Sequence, residues 1–177
     1  MYALADLHIL AQGSDEDLNW IIDLACERLN ADCAVLAMID GPGSEMAFLP
    51  RCREAVTELC DCGEVAHAPS QSTFCGHVQA SGQVLAVSDF RLEKRFQRCE
   101  FAENEGFEAY LGAPIFGPAQ DCIGSLCVLT NHPRLWTEQN RKELVKFANL
   151  VNRLVLLRAS LQTIKLICRR PVRLQNA

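Results

Sequence analysis

Leu18, Ile21, Ile22, Ala25 and Leu29 recur at three- and four-residue intervals, which predicts an amphipathic helix with one apolar face. Ser14 has the hydroxyl that caps such a helix, and Asp15, Glu16 and Asp17 suit its electropositive end. Ahead of it, Leu4, Leu7, Leu10 and Ala11 mark a shorter helix over Tyr2 to Ala11, stopped by Gly13. Too short to stay folded alone, that helix needs a partner.

The period then changes. Cys33 to Asp40 is a continuous apolar run ended by Gly41-Pro42-Gly43, which reads as a buried strand, with Glu45 to Pro50 as a second strand across the turn. From Arg51 to Ser72 no period holds, and the segment reads as a weak helix or irregular loop. Thr73 to Ala80 predicts a short helix ended by Ser81-Gly82, followed by an alternating strand over Gln83 to Ser88. The polar stretch Asp89 to Asn104 carries Phe90, Phe96 and Phe101 as spaced anchors. Ala109 to Phe116 and Cys122 to Leu129 are apolar segments joined by a turn over Gly117 to Asp121, a hairpin for the sheet centre.

Thr137 caps a last helix predicted to run to about Cys168, and that helix has two apolar rows. Leu144, Ala148, Val151 and Val155 form one; Leu150, Leu154, Leu157, Leu161, Ile164 and Cys168 form the other. The first row packs on the sheet. The second needs a further helix over it, and its 3.5-residue spacing suits a supercoiled partner, either a second copy or the chain's own N-terminal helix.

These 177 residues fit one core, and 49% apolar with 22% charged residues excludes a disordered chain. No apolar stretch approaches the ~20 residues that span a bilayer, and the start lacks a basic, cleavable leader, so a cytoplasmic location is expected. In that reducing compartment the ten cysteines read mostly as small core residues rather than a disulfide frame. The formal charge of −5 is unevenly spread: from Lys165 onward the chain is basic, leaving a more acidic body that is a poor nucleic-acid surface.

Phe74-Cys75-Gly76, then Asp89-Phe90-Arg91, Gly112-Ala113-Pro114 and Ile123-Gly124-Ser125-Leu126, in this order and spacing, resemble the second half of a GAF domain. The similarity extends over about Asp15 to Leu157. It implies an α/β (α+β) fold: a central antiparallel sheet, helices on one side, a pocket on the other, and N- and C-terminal helices packed together. The resulting organisation is an N-terminal helix over residues 1–13, the domain over 14–157, and a helical extension with a basic tail over 158–177. Members of the family bind cyclic nucleotides, bilins, haem, small metabolites or nothing, and usually signal to a kinase or cyclase. The resemblance thus implies a sensory or regulatory module rather than an enzyme, with a homodimer through the last helix, a small-molecule ligand and an output protein as partners. Nucleic acid and membrane are not expected partners, and no motif names a cofactor.

Phe74, Cys75, Asp89, Phe90, Phe96, Phe101 and Tyr110 lie on segments that line a GAF pocket, where aromatic walls and one carboxylate suit a small ligand. The alternative is that the rings fill the pocket and Asp89 caps a turn. Cys75, at the start of its helix, would feel the positive helix end, which favours the thiolate. Cys75 and Cys99 also resemble two cysteines of the free methionine-(R)-sulfoxide reductases, a GAF subfamily, with Cys60 or Cys62 as a third. The acidic strand positions of that subfamily fall near Cys127 and Leu129, which carry no charge, so the reductase is the secondary reading. Cys52, Cys60, Cys62, His67, Cys75 and His77 are metal-ligand types without a zinc-knuckle spacing, and no Cys-His step for a bilin follows Asp89. Arg91, Lys94, Arg95 and Arg98 read as a solvated face balanced by Glu93 and Glu100, with an anion site as the sharper alternative.

Overall fold

The computed structural model describes residues 16–39, 45–53, 66–69, 73–93 and 106–169. Helix α1 (Glu16–Arg28) buries Leu18, Ile21, Ile22, Ala25 and Cys26. It closes with Asn30 in the left-handed region at φ 47°, while the Ala31 amide reaches back to the Cys26 carbonyl at 2.9 Å. Strands β1 (Cys33–Ile39) and β2 (Glu45–Cys52) pair antiparallel, Leu36 opposite Leu49. Strand β3 (Ala66–Pro69), helix α2 (Phe74–Ser81), strand β4 (Leu85–Val87), a 3-10 turn (Phe90–Leu92), strands β5 (Ala109–Phe116) and β6 (Cys122–Thr130), and helix α3 (Glu138–Arg169) follow.

The six strands form one sheet in the order β3-β2-β1-β6-β5-β4, every neighbouring pair antiparallel. β1 lies near the middle and is apolar on both sides. Ala34, Leu36 and Met38 join the core under α1 and α3, while Cys33, Val35 and Ala37 join the core under α2. The expected antiparallel sheet with helices is therefore present.

Two boundaries differ from the sequence reading. The segment from Arg51 to Ser72 is not wholly loop: β2 extends through Cys52, and Ala66–Pro69 is an edge strand on β2. Four residues ending in proline, with a partner on one side only, leave no legible period. The strand expected over Gln83 to Ser88 shortens to Leu85–Val87, because Gly82 at φ 63° and the bend at Gln83 complete the exit from α2. Helix Tyr2 to Ala11 and the cap Ser14 lie outside the described residues.

α3 opens on a reciprocal cap: the Asn140 amide donates to Thr137 Oγ1 at 3.1 Å, and the Thr137 amide to Asn140 Oδ1 at 3.1 Å. Leu144, Phe147, Ala148, Val151 and Val155 are buried against the sheet and α1. Asn152 anchors the same face by accepting from the Phe116 amide at 2.9 Å. Arg28–Glu143 at 3.3 Å and Arg158–Asp17 at 3.6 Å tie α1 to α3. The second row behaves as its spacing requires: Leu150, Leu157, Leu161 and Ile164 are 40%, 56%, 48% and 55% exposed, and Leu154 is half-buried. After Val155 no described residue of α3 is buried, and the helix runs through position 157 without a break, so the expected division at 157/158 falls inside one helix.

Candidate functional site

The sheet face away from α1 and α3 is covered by α2, whose short sequence is fixed at both ends. Thr73 stands in extended backbone and its hydroxyl accepts from the Gly76 amide at 3.0 Å; Gly82 closes the helix in the left-handed region. This aims Phe74, Cys75 and Val78 at β1, β5 and β6, where they meet Val35, Phe48, Phe107, Tyr110, Cys127 and Leu129.

Phe74 is the centre of a stack. Its ring lies 4.6 Å from Phe90 and 5.0 Å from Tyr110, with interplanar angles of 29° and 26°. Tyr110 lies along β5 over Gly112, the next residue on the same face. A Cβ at Gly112 would collide with the Tyr110 hydroxyl and come within 2.6 Å of its Cζ. Glycine here is a space requirement of the ring.

At the end of that ring sit two thiols. Cys75 Sγ and Cys127 Sγ are 3.6 Å apart, and the Tyr110 hydroxyl donates to Cys75 Sγ at 3.6 Å. Ser125, two residues before Cys127 on the same face of β6, is fully buried; its Oγ makes no hydrogen bond of full geometry but lies close enough to Cys75 and Tyr110 to act on both. Hydrogen bonding from Cys127 lowers the pKa of Cys75 from its ordinary value against the opposing effect of burial, and the Ser125 and Tyr110 hydroxyls act in the same direction as Cys127. Burial instead pushes Cys127 and Tyr110 up. Cys26, by contrast, donates to the Ala31 carbonyl at 3.3 Å under α1, and burial raises it to about 12. The two neighbouring sulfurs are thus shifted in opposite directions, Cys75 down and Cys127 up.

Asp89 does not point to this cluster. It caps the 3-10 turn, accepting from the Arg91 amide at 2.9 Å, and both carboxylate oxygens take hydrogen bonds from the Arg91 guanidinium at 2.9 Å. The Arg91 hydrogen bonds hold its carboxyl below the usual range. Arg91 also reaches Glu108 at 3.8 Å. Of the candidate residues, then, the fold brings Phe74, Cys75, Phe90 and Tyr110 together and engages Asp89 in the adjoining turn. Phe96 and Phe101 lie outside the described residues, as do Cys60, Cys62, Lys94, Arg95, Arg98 and Cys99. Among the described residues no group of three or more His, Cys, Asp or Glu is placed to hold a metal ion. The sequence reading missed Ser125, Phe107 and the role of Cys127 as a neighbour of Cys75. The alternation of β6, which puts Ser125, Cys127 and Leu129 on one face, is the signal that could have found two of them.

An antiparallel sheet clasped by terminal helices on one side and by a short helix on the other is matched by the family model for the GAF domain over residues 15–155. The chain belongs to the GAF family. As a GAF domain it is a sensory and regulatory unit. A cyclic di-GMP phosphodiesterase of Pseudomonas aeruginosa is 26% identical over 147 residues, which cover 82% of this chain and 23% of that enzyme. The chain thus spans under a quarter of the relative's length. Among solved structures, the red/green cyanobacteriochrome NpR6012g4 in its red-absorbing state superposes with a TM-score of 0.70 at 18% identity, covering 84% of this chain and 97% of that one. The GAF domain of an Acinetobacter phosphoenolpyruvate-protein phosphotransferase gives 0.66 at 12% identity, covering 92% and 91%. The free methionine-R-sulfoxide reductase of Neisseria meningitidis gives 0.62 at 17% identity, covering 80% of each chain. At these identities the likeness is one of fold. No described helix is long and apolar enough to cross a membrane.

Proposed function

We propose that this GAF domain works as a homodimer paired through α3, passing the state of the α2 face to an output domain such as a kinase, cyclase or phosphodiesterase. The exposed second row of α3 carries this reading: Leu150, Leu157, Leu161 and Ile164 hold large apolar side chains in water at coiled-coil spacing. A second copy supplies the same row, so an isologous pair covers both at once. A small ligand would enter at the α2 face, against Phe74, Phe90 and Tyr110. Cys75 would lie at its floor, and Asp89 would shape the rim rather than bind.

Leu157→Glu with Leu161→Glu tests the pairing. Both side chains are exposed, whereas Leu154 also packs on the domain's own core and would confound the result. Light scattering is expected to show a dimer for the wild type and a monomer for the double variant, with unchanged far-UV circular dichroism. An unaltered mass would refute the pairing. Native mass spectrometry of the purified protein reads out a co-purifying small molecule separately.

A further inference from the structure

We propose that Cys75 and Cys127 form a peroxide-responsive thiol pair, in which Cys75 is the attacking sulfur and Cys127 resolves it to a disulfide between α2 and β6. The pairing does not depend on the dimer or ligand reading.

The geometry supplies each part. The sulfurs are in van der Waals contact at 3.6 Å, and a disulfide needs them about 1.5 Å closer. Cys75 is the second residue of α2, in the first turn at the positive end of that helix, and the Tyr110 hydroxyl donates to its sulfur. The Ser125 hydroxyl, buried beside Cys75 without a hydrogen bond of full geometry, is placed to donate to added negative charge or to an oxygen on that sulfur. Such an under-satisfied hydroxyl is costly in a settled core and has a use where a sulfur changes its charge and its substituents. Cys75 and Cys127 are both buried, at 6% and 1% exposed, and it is Cys75 that receives the Tyr110 hydroxyl, which assigns it the attacking role.

In the first step the Cys75 thiolate attacks the outer oxygen of a hydroperoxide. An S–O bond forms, the O–O bond breaks, and the departing oxyanion takes up the proton released when Cys75 ionised, leaving as water or an alcohol. Cys75 is thereby oxidised by two electrons to a sulfenic acid while the peroxide is reduced. In the second step the Cys127 sulfur attacks the Cys75 sulfur. The S–S bond forms, the S–O bond breaks, and the hydroxide leaves as water with the proton from Cys127. Two thiols and one hydroperoxide thus give one disulfide, one alcohol or water, and one further water. The link ties α2 covalently to β6 and alters the face that α2 covers.

The test uses the reduced wild-type chain, a small excess of hydrogen peroxide, alkylation in denaturant, and peptide mapping without reductant. A linked pair of peptides containing Cys75 and Cys127, two hydrogens lighter than their sum and separated by dithiothreitol, is expected. Mapping distinguishes this pair from Cys33 and Cys52, whose sulfurs lie 2.9 Å apart. In Cys127→Ser the link is lost and dimedone captures Cys75 instead. Recovery of Cys75 and Cys127 as alkylated thiols, under conditions that oxidise the exposed Cys168, would overturn the proposal; so would a failure of dimedone to label Cys75 in the folded Cys127→Ser protein.

Discussion

Replacing Gly112 by alanine isolates what the Tyr110 ring contributes to the α2 face. Gly112 has no positive φ, so its backbone accepts alanine without strain, and any cost comes from space. The added methyl would meet the Tyr110 hydroxyl, Cζ at 2.6 Å and Cε1 at 2.8 Å. That ring is 1% exposed and wedged against Phe74, which is itself stacked on Phe90, so it has nowhere to swing. Overpacking of this kind costs about 1–3 kcal/mol, and a disturbed aromatic pair adds roughly 0.5–1.5 kcal/mol. A loss of about 2–4 kcal/mol corresponds to a melting temperature lower by roughly 4–16 °C for a domain of this size. Thermal melts together with urea midpoints measure it. Tyr110→Phe provides the control: it removes the atom nearest the new methyl, so Gly112→Ala should cost about 1 kcal/mol less in that background, the coupling expected of touching residues. A Gly112→Ala protein that melts within about 1 °C of the wild type would show that the ring is free to move.

Asp89→Asn keeps one acceptor for the Arg91 amide and should be mild, whereas Asp89→Ala should lower the melting temperature by a few degrees. Because the Asp89 carboxyl is held below its ordinary 3.8, its contribution is complete above that value and fades as the pH falls through the lower value of the folded state. A stabilised Asp89→Ala protein would instead indicate a charge kept for a ligand. Free methionine-(R)-sulfoxide should not be turned over with a thiol reductant, since the acidic strand positions implied by the resemblance to that subfamily fall near Cys127 and Leu129, which carry no charge. Turnover abolished by Cys99→Ser would overturn this.

What could be read from the sequence is what is local. Thr73 and Gly82 announce the ends of α2 because a cap and a left-handed stop are properties of single residues. The two rows of α3 are visible because one helix carries both, and the structure buries one and leaves the other exposed. Ala66–Pro69 escaped because an edge strand of four residues takes its identity from β2 rather than from its own pattern. The Cys75–Cys127 contact escaped for a related reason: 52 residues separate them, and only the docking of α2 on β6 makes them neighbours. Asp89 was legible as a turn residue, while its two-oxygen grip by Arg91 depends on how the 3-10 turn closes.

The strand order also says how this domain must assemble. Among the described strands, three come from the first part of the chain and three from the last, and they meet where β1 pairs with β6, Leu36 opposite Leu126. Joining strands roughly 90 residues apart is a non-local closure that must be made before its contacts repay it, although its cost depends only weakly on the loop's length, about 0.6 kcal/mol per doubling. Two half-sheets can therefore form early as local hairpins, but neither has a covered outer face until α1 arrives with one half and α3 with the other. Folding speed should then depend on residues at the seam far more than on those at the β3 and β4 edges. A chain interrupted in the segment between β3 and α2 would be expected to reassemble from its two pieces rather than fail outright.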